Sequence, residues 1–287
     1  MPNHNQRRLK FAVYAHPQRP KIKQESIENL VVSLGLQISK SNPDIALVIG
    51  GDGTFSYYGR RLSVPMLFVG VPTSEILGSK SRLAKVSIHN LPEALQGLKK
   101  GNYVITERRM LEVIYEDYSS TSVLTDVYLE RGIFAGCIRY SVTVTNNSNK
   151  TGHRANSSSG YNFTDFVIGN GVIISTSFGS GGYYSYLDRI NRPKKRPITL
   201  FNDSRLGICH ILPTFGARRL KDNKEYEETI PIRYTVPFDS IIEIKIIRET
   251  NSRLYGTTIH SKGIKISWNK PIIVTSSPKI AKIIHLT

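Results

Sequence analysis

Cysteine is scarce in this chain of 287 residues, and its scarcity excludes two classes of protein. Cys137 and Cys209 are too few for a disulfide-stapled secreted scaffold, and their separation does not match the paired spacing of a zinc-binding motif. The seven histidines are scattered without a close pair, so the sequence predicts no resident metal site. We expect two reduced thiols in an intracellular protein.

Long apolar runs are missing as well. No stretch reaches the roughly 18 apolar residues that a membrane-spanning helix needs, so no membrane association is predicted. The first residues, MPNHNQRRLK, are polar and basic and lead into only a few apolar ones, which is not the pattern of a secretory signal. The expected compartment is the cytoplasm.

Acidic residues are few compared with basic ones. Lysine and arginine together number 39, against 22 aspartates and glutamates, which gives a net charge of +17. This excess favours anionic partners such as nucleotides or nucleic acid. An acidic surface would suit the same charge, so the charge alone does not choose among these partners. Nucleic acid is an unlikely partner because the chain carries no recognisable nucleic-acid-binding motif.

The first hundred residues alternate strand and helix signals. Short apolar runs predict strands at LKFAVYAH, IALVIG and PMLFVGV, and the last two are of the kind that is covered on both faces. Helices are predicted at TFSYYGRRL and at LPEALQGLKKG, where Gly101 is expected as the C-cap. Another helix is predicted from apolar residues on a common face: Ile27, Leu30, Val31, Leu34 and Ile38.

This alternation predicts an α/β domain at residues 1–101 with an open, mainly parallel sheet. From residue 102 onward the runs are rich in valine, isoleucine, tyrosine and threonine, and helix patterns are few. These runs predict a β-rich second domain at residues 102–287. The extreme C-terminus is expected to pack back on the first domain.

The motif GGDGT, residues 50–54, ends the apolar run IALVIG. In an open α/β sheet, ligands bind outside the carboxyl ends of the strands, and glycines there let backbone N–H groups approach phosphate oxygens. Gly51, Gly53 and Thr54 are therefore candidate nucleotide contacts. A carboxylate repels phosphate, so Asp52 needs another role, either holding a metal or accepting a proton from an attacking hydroxyl. The alternative is a tight turn in which Asp52 is a helix N-cap.

A second glycine cluster, residues 179–182, follows the β-rich run NGVIISTSF. Glycines at this place would admit another part of a nucleotide, and Tyr183 and Tyr184 offer aromatic faces for stacking on a base. Taken alone, the segment fits equally well a hairpin turn followed by packed tyrosines.

Together, the two clusters resemble the motifs of the NAD kinases. That family carries GGDGT, then NTGxLGF, then an Asn-Glu or Asn-Asp pair before a strand, and then DGxxxSTPTGSTAY. The resemblance extends over most of the chain and is strongest from Val48 to Tyr184. GGDGT alone is shared with diacylglycerol and sphingoid-base kinases, so it is the second cluster that points to the NAD kinases.

The resemblance implies a two-domain fold, with the site between the domains, and a specific reaction. The γ-phosphate of ATP would pass to the 2′-hydroxyl of the adenosine ribose of NAD, giving NADP, and Asp52 would be the catalytic residue that deprotonates or orients this hydroxyl. The resemblance also implies a divalent cation, expected to be Mg²⁺, and a homo-oligomer, either a dimer or a tetramer.

Position by position, the resemblance assigns substrate-binding roles unevenly. GVPTSEILGS stands in place of NTGxLGF and keeps Thr73, whereas Pro72 replaces the asparagine. In the Asn-Glu pair, Thr125 replaces the asparagine and Asp126 keeps the carboxylate, and Asn170 replaces the aspartate of the last motif. The other assigned residues lie in or just after the second glycine cluster: Ser180, Gly181, Gly182, Tyr183 and Tyr186.

These departures leave two alternatives open. Thr125 offers a single hydrogen bond where asparagine offers a two-pronged amide contact, and Asn170 lacks the negative charge of the family's aspartate. The two alternatives to an NAD kinase are a kinase of the same superfamily with a different acceptor and a dinucleotide-binding regulatory protein whose kinase activity is weak or lost.

Overall fold

The computed structural model divides the chain into two compact units, residues 1–108 with 280–287 and residues 109–279. The predicted domain limits, 1–101 and 102–287, stay a prediction. The residues that the structure describes are 9–16, 23–71, 81–133, 135–146, 162–190, 201–220, 226–227, 229–248, 251–257 and 263–287.

In the first unit, strands and helices alternate along the chain, and the strands form a parallel sheet. The elements are β1 (Lys10–Ala15), α1 (Gln24–Ser33), β2 (Gln37–Ile38), β3 (Ile45–Gly50), α2 (Asp52–Gly59), β4 (Met66–Gly70), β5 (Val86–Ser87), a 3₁₀ turn (Ile88–Asn90) and α3 (Leu91–Lys99). The sheet order is β2–β1–β3–β4–β5, and each of these pairs is parallel. The predicted α/β architecture with an open, mainly parallel sheet is therefore confirmed.

The central strands of this sheet are apolar because both of their faces are covered. Every residue of β3 and β4 is buried, as expected for parallel strands of this composition. The same hydrophobic core includes Val31 of α1 and Leu95 of α3, so these helices pack on the sheet. The apolar runs thus predicted these strands correctly.

The first helix is shorter than predicted. It ends at Ser33, and Gly35 follows with a φ of +73°, a left-handed conformation that glycine adopts without strain. Ile38 therefore lies in β2, and its placement on the helical face with Ile27 was wrong. In α3 the cap is Lys100, and Gly101, with a φ of +80°, is the left-handed residue directly after it. Among the described residues, no helix has the length and apolar character that crossing a membrane requires.

The second unit is built from antiparallel strands in two sheets. The strands from β6 onward are β6 (Tyr103–Ile114), β7 (Ser120–Val123), β8 (Asp126–Glu130), β9 (Ile138–Thr145), β10 (Phe163–Gly169), β11 (Gly171–Ser175), β12 (Arg205–Ile211), β13 (Phe215–Leu220), β14 (Tyr226–Glu227), β15 (Arg233–Pro237), β16 (Ile241–Ile246), β17 (Arg253–Tyr255), β18 (Ile264–Lys265) and β19 (Pro271–Leu286). One sheet has the order β14–β13–β10–β9–β16, continued by β19, and the other has the order β15–β12–β11–β8–β17–β18. Both sheets contribute to one hydrophobic core, and the predicted β-rich character is confirmed.

A buried polar cluster joins the two sheets of the second unit. Asp165 on β10 is fully buried, and the register places it directly opposite Arg218 on β13, whose guanidinium donates to both carboxylate oxygens at 2.6 and 2.9 Å. From the other sheet, the Tyr234 hydroxyl donates to the same carboxylate at 2.5 Å, and His210 Nε2 lies 3.4 Å away. These partners compensate the cost of burying the charge.

Candidate functional site

The GGDGT motif forms the strand-to-helix turn at the carboxyl edge of the first unit's sheet. Gly50 is the last residue of β3 and pairs with Gly70 of β4, and α2 begins two residues later at Asp52. A Cβ atom at Gly50 would lie 2.7 Å from Thr54 Oγ1, so a glycine is needed for this turn to be tight. Among the described residues, a Cβ atom at Gly53 would meet nothing within 4 Å, so this side of the turn is open with respect to them.

The Asp52 carboxylate is held by a distant backbone group. Its Oδ1 accepts a hydrogen bond from the backbone N–H of Leu83 at 3.0 Å. Gly51 is the N-cap of α2, and no side-chain cap bond forms, so the alternative reading of Asp52 as an N-cap is wrong. The carboxylate instead lies in the first helical turn, where the helix dipole favours negative charge.

Thr54 is buried and helps to close the turn. Its side chain is only 4% exposed, and its backbone N–H already donates to the carbonyl of Gly51 at 2.9 Å. Its assignment as a nucleotide contact stays a prediction. Helix α2 is also fixed at its far end, where the Tyr58 hydroxyl donates to the carbonyl of Ala15 at 3.3 Å and Arg61 stacks on Tyr57, 3.7 Å from the ring centroid.

In the second unit, strand pairing brings Thr125 and Asp126 to the second glycine cluster. Asp126, the first residue of β8, pairs with Ser175 at the end of β11. The backbone N–H and the hydroxyl of Thr176 both donate to the Thr125 carbonyl, at 2.8 and 3.0 Å. A Cβ atom at Gly179 would lie 2.5 Å from the carbonyl carbon of Thr125, so this approach requires glycine.

The glycine turn is fixed from behind by α4 (Tyr186–Ile190) and the 3₁₀ turn (Tyr183–Ser185) that precedes it. The Ser185 hydroxyl donates to the Gly182 carbonyl at 2.8 Å, and Arg189 Nη2 donates to the carbonyls of Gly181 and Gly182 at 2.6 and 3.0 Å. A Cβ atom at Gly182 would lie 3.6 Å from Asp126 Oδ2, whereas one at Gly181 would meet none of the described residues within 4 Å. The turn is therefore rigid on one side and open beside Gly181. Of the alternative interpretation, the packed tyrosines are confirmed, since Tyr184 is buried and Tyr183 packs against the same cluster. The hairpin turn is wrong, because a 3₁₀ turn and a short helix follow the glycines.

Ser180 points into this turn. It is fully buried, and its hydroxyl donates to the Ser177 carbonyl at 2.6 Å. The hydroxyl hydrogen is thereby used, but the oxygen can still accept a hydrogen bond, and the assignment of Ser180 as a ligand contact stays a prediction.

Tyrosines line the face of β8 that carries Asp126. Tyr128 stacks on Tyr255 with 5.3 Å between ring centroids and meets Tyr183 edge to face at 5.1 Å. The Tyr183 hydroxyl donates to Glu130 Oε1 at 2.8 Å. Burial raises the pKa of Tyr128 to about 12, and burial together with this bond to Glu130 raises the pKa of Tyr183. Both phenols are therefore neutral at physiological pH.

Asn170 and Tyr186 lie at the opposite end of β11 from Ser175. Asn170 directly precedes the strand, and five residues of extended chain separate it from Ser175, about 16 Å. The Tyr186 hydroxyl donates to the His210 carbonyl at 2.7 Å, and Asn170 N–H donates to the Ile211 carbonyl at 2.8 Å. The predicted residues of this unit thus form two groups along one strand, which suits a ligand with two parts.

Two residues of the sequence motifs lie outside the described part of the chain, and three residues near the candidate site were not predicted. Thr73 and Pro72 lie outside the described residues. Sequence reasoning missed Leu83, which acts through its backbone and therefore leaves no side-chain signal. It also missed Glu130 and Arg189, although the spacing of Ser185 and Arg189, one helical turn apart, is a signal that could have been used.

Comparison with known protein sequences gives relatives that are named NAD kinase. No family model matches the chain. The chain is 30% identical over 251 residues to the NAD kinase of Thermoanaerobacter sp. (strain X514), with 86% of this chain and 75% of that protein covered. It is 30% identical over 175 residues to the NAD kinase of Clostridium kluyveri, with 55% of this chain and 54% of that protein covered. In this second match the chain spans about half the length of its relative.

Two solved structures share the fold at low sequence identity. Yeast NADH kinase complexed with NADH superposes with a TM-score of 0.64 and 14% identity, covering 98% of this chain and 84% of that one. An NAD kinase from Archaeoglobus fulgidus in complex with ATP has a TM-score of 0.59 and 14% identity, covering 97% of this chain and 94% of that one. These two likenesses establish the fold.

Proposed function

The chain belongs to the NAD kinase family, and we propose that it transfers the γ-phosphoryl group of ATP to the 2′-hydroxyl of the adenosine ribose of NAD, giving ADP and NADP. The observation that carries the proposal is the Asp52 carboxylate, which follows a buried parallel strand, is held by the N–H of Leu83 and lies next to the open side of the turn at Gly53. The solved relative that contains ATP supports the donor, and the relatives' names support the acceptor.

In the proposed reaction Asp52 is the general base. As the 2′-oxygen forms its bond to the γ-phosphorus, the O–H bond breaks and the proton passes to the Asp52 carboxylate. The bond from the γ-phosphorus to the bridging oxygen breaks, and its electron pair leaves with ADP. General base catalysis of this kind contributes about 10²–10⁴ in rate, and the N-terminus of α2 stabilises both the carboxylate and nearby phosphates.

The other predicted residues are proposed as binding groups. Backbone groups of Gly51 and Gly53 would contact the phosphates of ATP, since glycine has no side chain of its own to keep a phosphate oxygen away from the backbone N–H. In the second unit, Thr125 and Asp126 with the open turn at Gly181 would bind one part of the dinucleotide. The remaining proposed contacts, along the same strand pair, are Gly182, Tyr183, Asn170 and Tyr186.

A divalent cation would enter with ATP as part of the substrate. Within the described ranges, no group of three or more histidine, cysteine, aspartate or glutamate side chains is placed to hold a metal ion. Mg²⁺ needs no such group, because it is commonly bound by one or two carboxylates together with substrate phosphates. The bound ion would neutralise charge on the phosphates, which leaves the Asp52 carboxylate to take the proton.

We also propose a homo-oligomer, either a dimer or a tetramer, that acts in the cytoplasm. The family resemblance supports the assembly, and the two free thiols, Cys137 and Cys209, suit a reducing compartment. Light scattering coupled to size-exclusion chromatography would measure the assembly, and a monomer at micromolar concentration would contradict it.

The proposed activity is tested by incubating the purified chain with ATP, Mg²⁺ and NAD and measuring NADP with an NADP-specific dehydrogenase. We expect NADP to form and Asp52→Asn to lower kcat at least a hundredfold, because the amide cannot take the proton. Asp44→Asn is the matched control. Asp44 lies just before β3, at the opposite edge of the sheet, and accepts a bond from Lys10 N–H at 2.9 Å that an amide oxygen can also accept.

The other outcomes separate the alternatives. Binding of NAD by calorimetry without any NADP would favour the dinucleotide-binding regulatory protein. ATP turnover that depends on Asp52 but yields no NADP would favour a kinase with a different acceptor. Full activity in Asp52→Asn would contradict the assignment of the base.

A further inference from the structure

A short turn at residues 81–84 reaches back to the Asp52 carboxylate. The N–H of Ala84 donates to the carbonyl of Ser81 at 3.3 Å, which closes the turn, and the N–H of Leu83 within it donates to Asp52 Oδ1 at 3.0 Å. The two bonded residues are 31 positions apart, so this contact is tertiary and not part of helix capping.

The turn is seated on Gly70, the last residue of β4. A Cβ atom at Gly70 would lie 2.6 Å from Ser81 Oγ and 3.2 Å from the Cβ of Ala84. Such distances are shorter than van der Waals contact, so any larger residue at position 70 must displace the turn. The glycine is therefore what allows the turn to lie this close to the sheet.

The sheet fixes the positions of Gly70 and of the Asp52 carboxylate relative to each other. Gly70 pairs with Gly50, two residues before Asp52, so both lie at the same edge of the sheet. On the other side, β5 follows the turn directly and pairs Val86 with Val69 of β4. The turn that carries the Leu83 N–H is thus tied to β4 twice, by its contact with Gly70 and by the pairing of β5.

We propose that Leu83 is a positioning residue whose backbone N–H fixes the orientation of the Asp52 carboxylate for proton transfer, with Gly70 as the seat that places it; this rests on the proposed kinase function. An aspartate side chain has several accessible rotamers, and one hydrogen bond to an ionised carboxylate is strong enough to select among them. Since proton transfer requires hydrogen-bond geometry, loss of the donor lowers the rate of the chemical step.

The activity test uses Gly70→Ala, which displaces the turn. We expect kcat to fall about tenfold to a hundredfold, corresponding to the loss of one hydrogen bond to a charged group, while the KM values for ATP and NAD change less than about twofold. Gly97→Ala is the matched control, because a Cβ atom there makes an ordinary 3.7 Å contact with Leu286 in the same unit. An unchanged kcat in Gly70→Ala, or a loss carried entirely by KM, overturns the proposal.

The hydrogen bond itself is tested without any reaction. Amide hydrogen exchange resolved at Leu83 should be slow in the native chain, faster at least tenfold in Asp52→Ala, and slow again in Asp52→Asn, whose oxygen still accepts. Equal exchange at Leu83 in the native chain and in Asp52→Ala overturns the proposal, even if the protein is fully active. If the native chain makes no NADP, the proposed function fails, and this exchange measurement still decides whether Leu83 holds the carboxylate.

Discussion

Replacing Arg218 with methionine should destabilise the second unit strongly, because it takes two hydrogen bonds from a fully buried carboxylate. Asp165 has no exposed side-chain surface, and the Arg218 side chain is 16% exposed. Methionine keeps much of the apolar stem that arginine packs on its neighbours. The substitution therefore removes the charge with little change in packing.

The expected cost of this substitution has two parts. Removing one partner of a buried ion pair costs about 3–5 kcal/mol, because the other charge stays buried. Arg218 also stacks on Phe163, 3.8 Å from the ring centroid, and its loss adds about 1 kcal/mol. The sum of about 4–6 kcal/mol corresponds to a fall in Tm of about 8–24 °C, at 2–4 °C per kcal/mol for domains of this size.

Urea unfolding followed by circular dichroism measures this cost. The control is Arg219→Met, at the next and exposed position of the same strand, which should cost less than about 1 kcal/mol. In a double-mutant cycle with Asp165→Asn, the double variant should be more stable than the sum of the single costs predicts. A cost below about 1 kcal/mol for Arg218→Met, or strict additivity in the cycle, would refute the reasoning.

The same pair predicts a pH dependence. Burial raises the pKa of Asp165, but hydrogen bonds from Arg218, His210 and Tyr234 outweigh it and hold the pKa below 3.8. A carboxyl group with a depressed pKa in the folded state stabilises the protein above its unfolded pKa and loses this contribution as the pH falls through the folded value. The gap in stability between the native chain and Arg218→Met should therefore shrink below about pH 4.

Two further predictions concern glycine and cysteine positions. Gly179→Ala should lower the free energy of unfolding by about 2 kcal/mol or more, because its Cβ atom would lie 2.5 Å from the carbonyl carbon of Thr125. Gly181→Ala should be nearly neutral, because its Cβ atom would have no described residue within 4 Å. Equal effects of the two substitutions in a thermal melt would contradict this. A thiol reagent at pH 8 should modify Cys137 quickly and Cys209 only after denaturation, because Cys209 is buried and burial raises its pKa to about 12. Fast modification of both in the folded chain would be the contrary result.

The strands of the first unit were predictable because their apolar runs are continuous, and a run of that kind needs cover on both faces. The end of the first helix was not, because Ile38 keeps the helical spacing while Gly35, with its φ of +73°, ends the helix before it. Periodicity records which residues are apolar, but the backbone conformation of one glycine decided where the pattern stopped being helical.

The sequence predicted which residues of the candidate site lie close together only where two of the family motifs lie on neighbouring strands. Thr125 and Asp126 meet the second glycine cluster because β8 and β11 are neighbours, and the family resemblance had grouped them. The donor to Asp52 had no such signal. A backbone N–H is present at every residue but proline, so only the close approach that Gly70 permits singles out Leu83.

The buried ion pair lies between these two cases, because its chemistry is visible in the sequence but its register is not. Asp165 occurs at an alternating position in the apolar strand FTDFVIG, where the side chain must point into the core, and an unpaired carboxylate there would be too costly to keep. A carboxylate at this core-facing position therefore needs hydrogen-bond donors, and the structure supplies them from Arg218, His210 and Tyr234. Because Arg218 and Arg219 are adjacent on β13, a shift of one residue would place Arg219 opposite Asp165 in place of Arg218. The charge of Asp165 therefore explains why a polar partner is present, but it does not by itself select the register of β10 with β13.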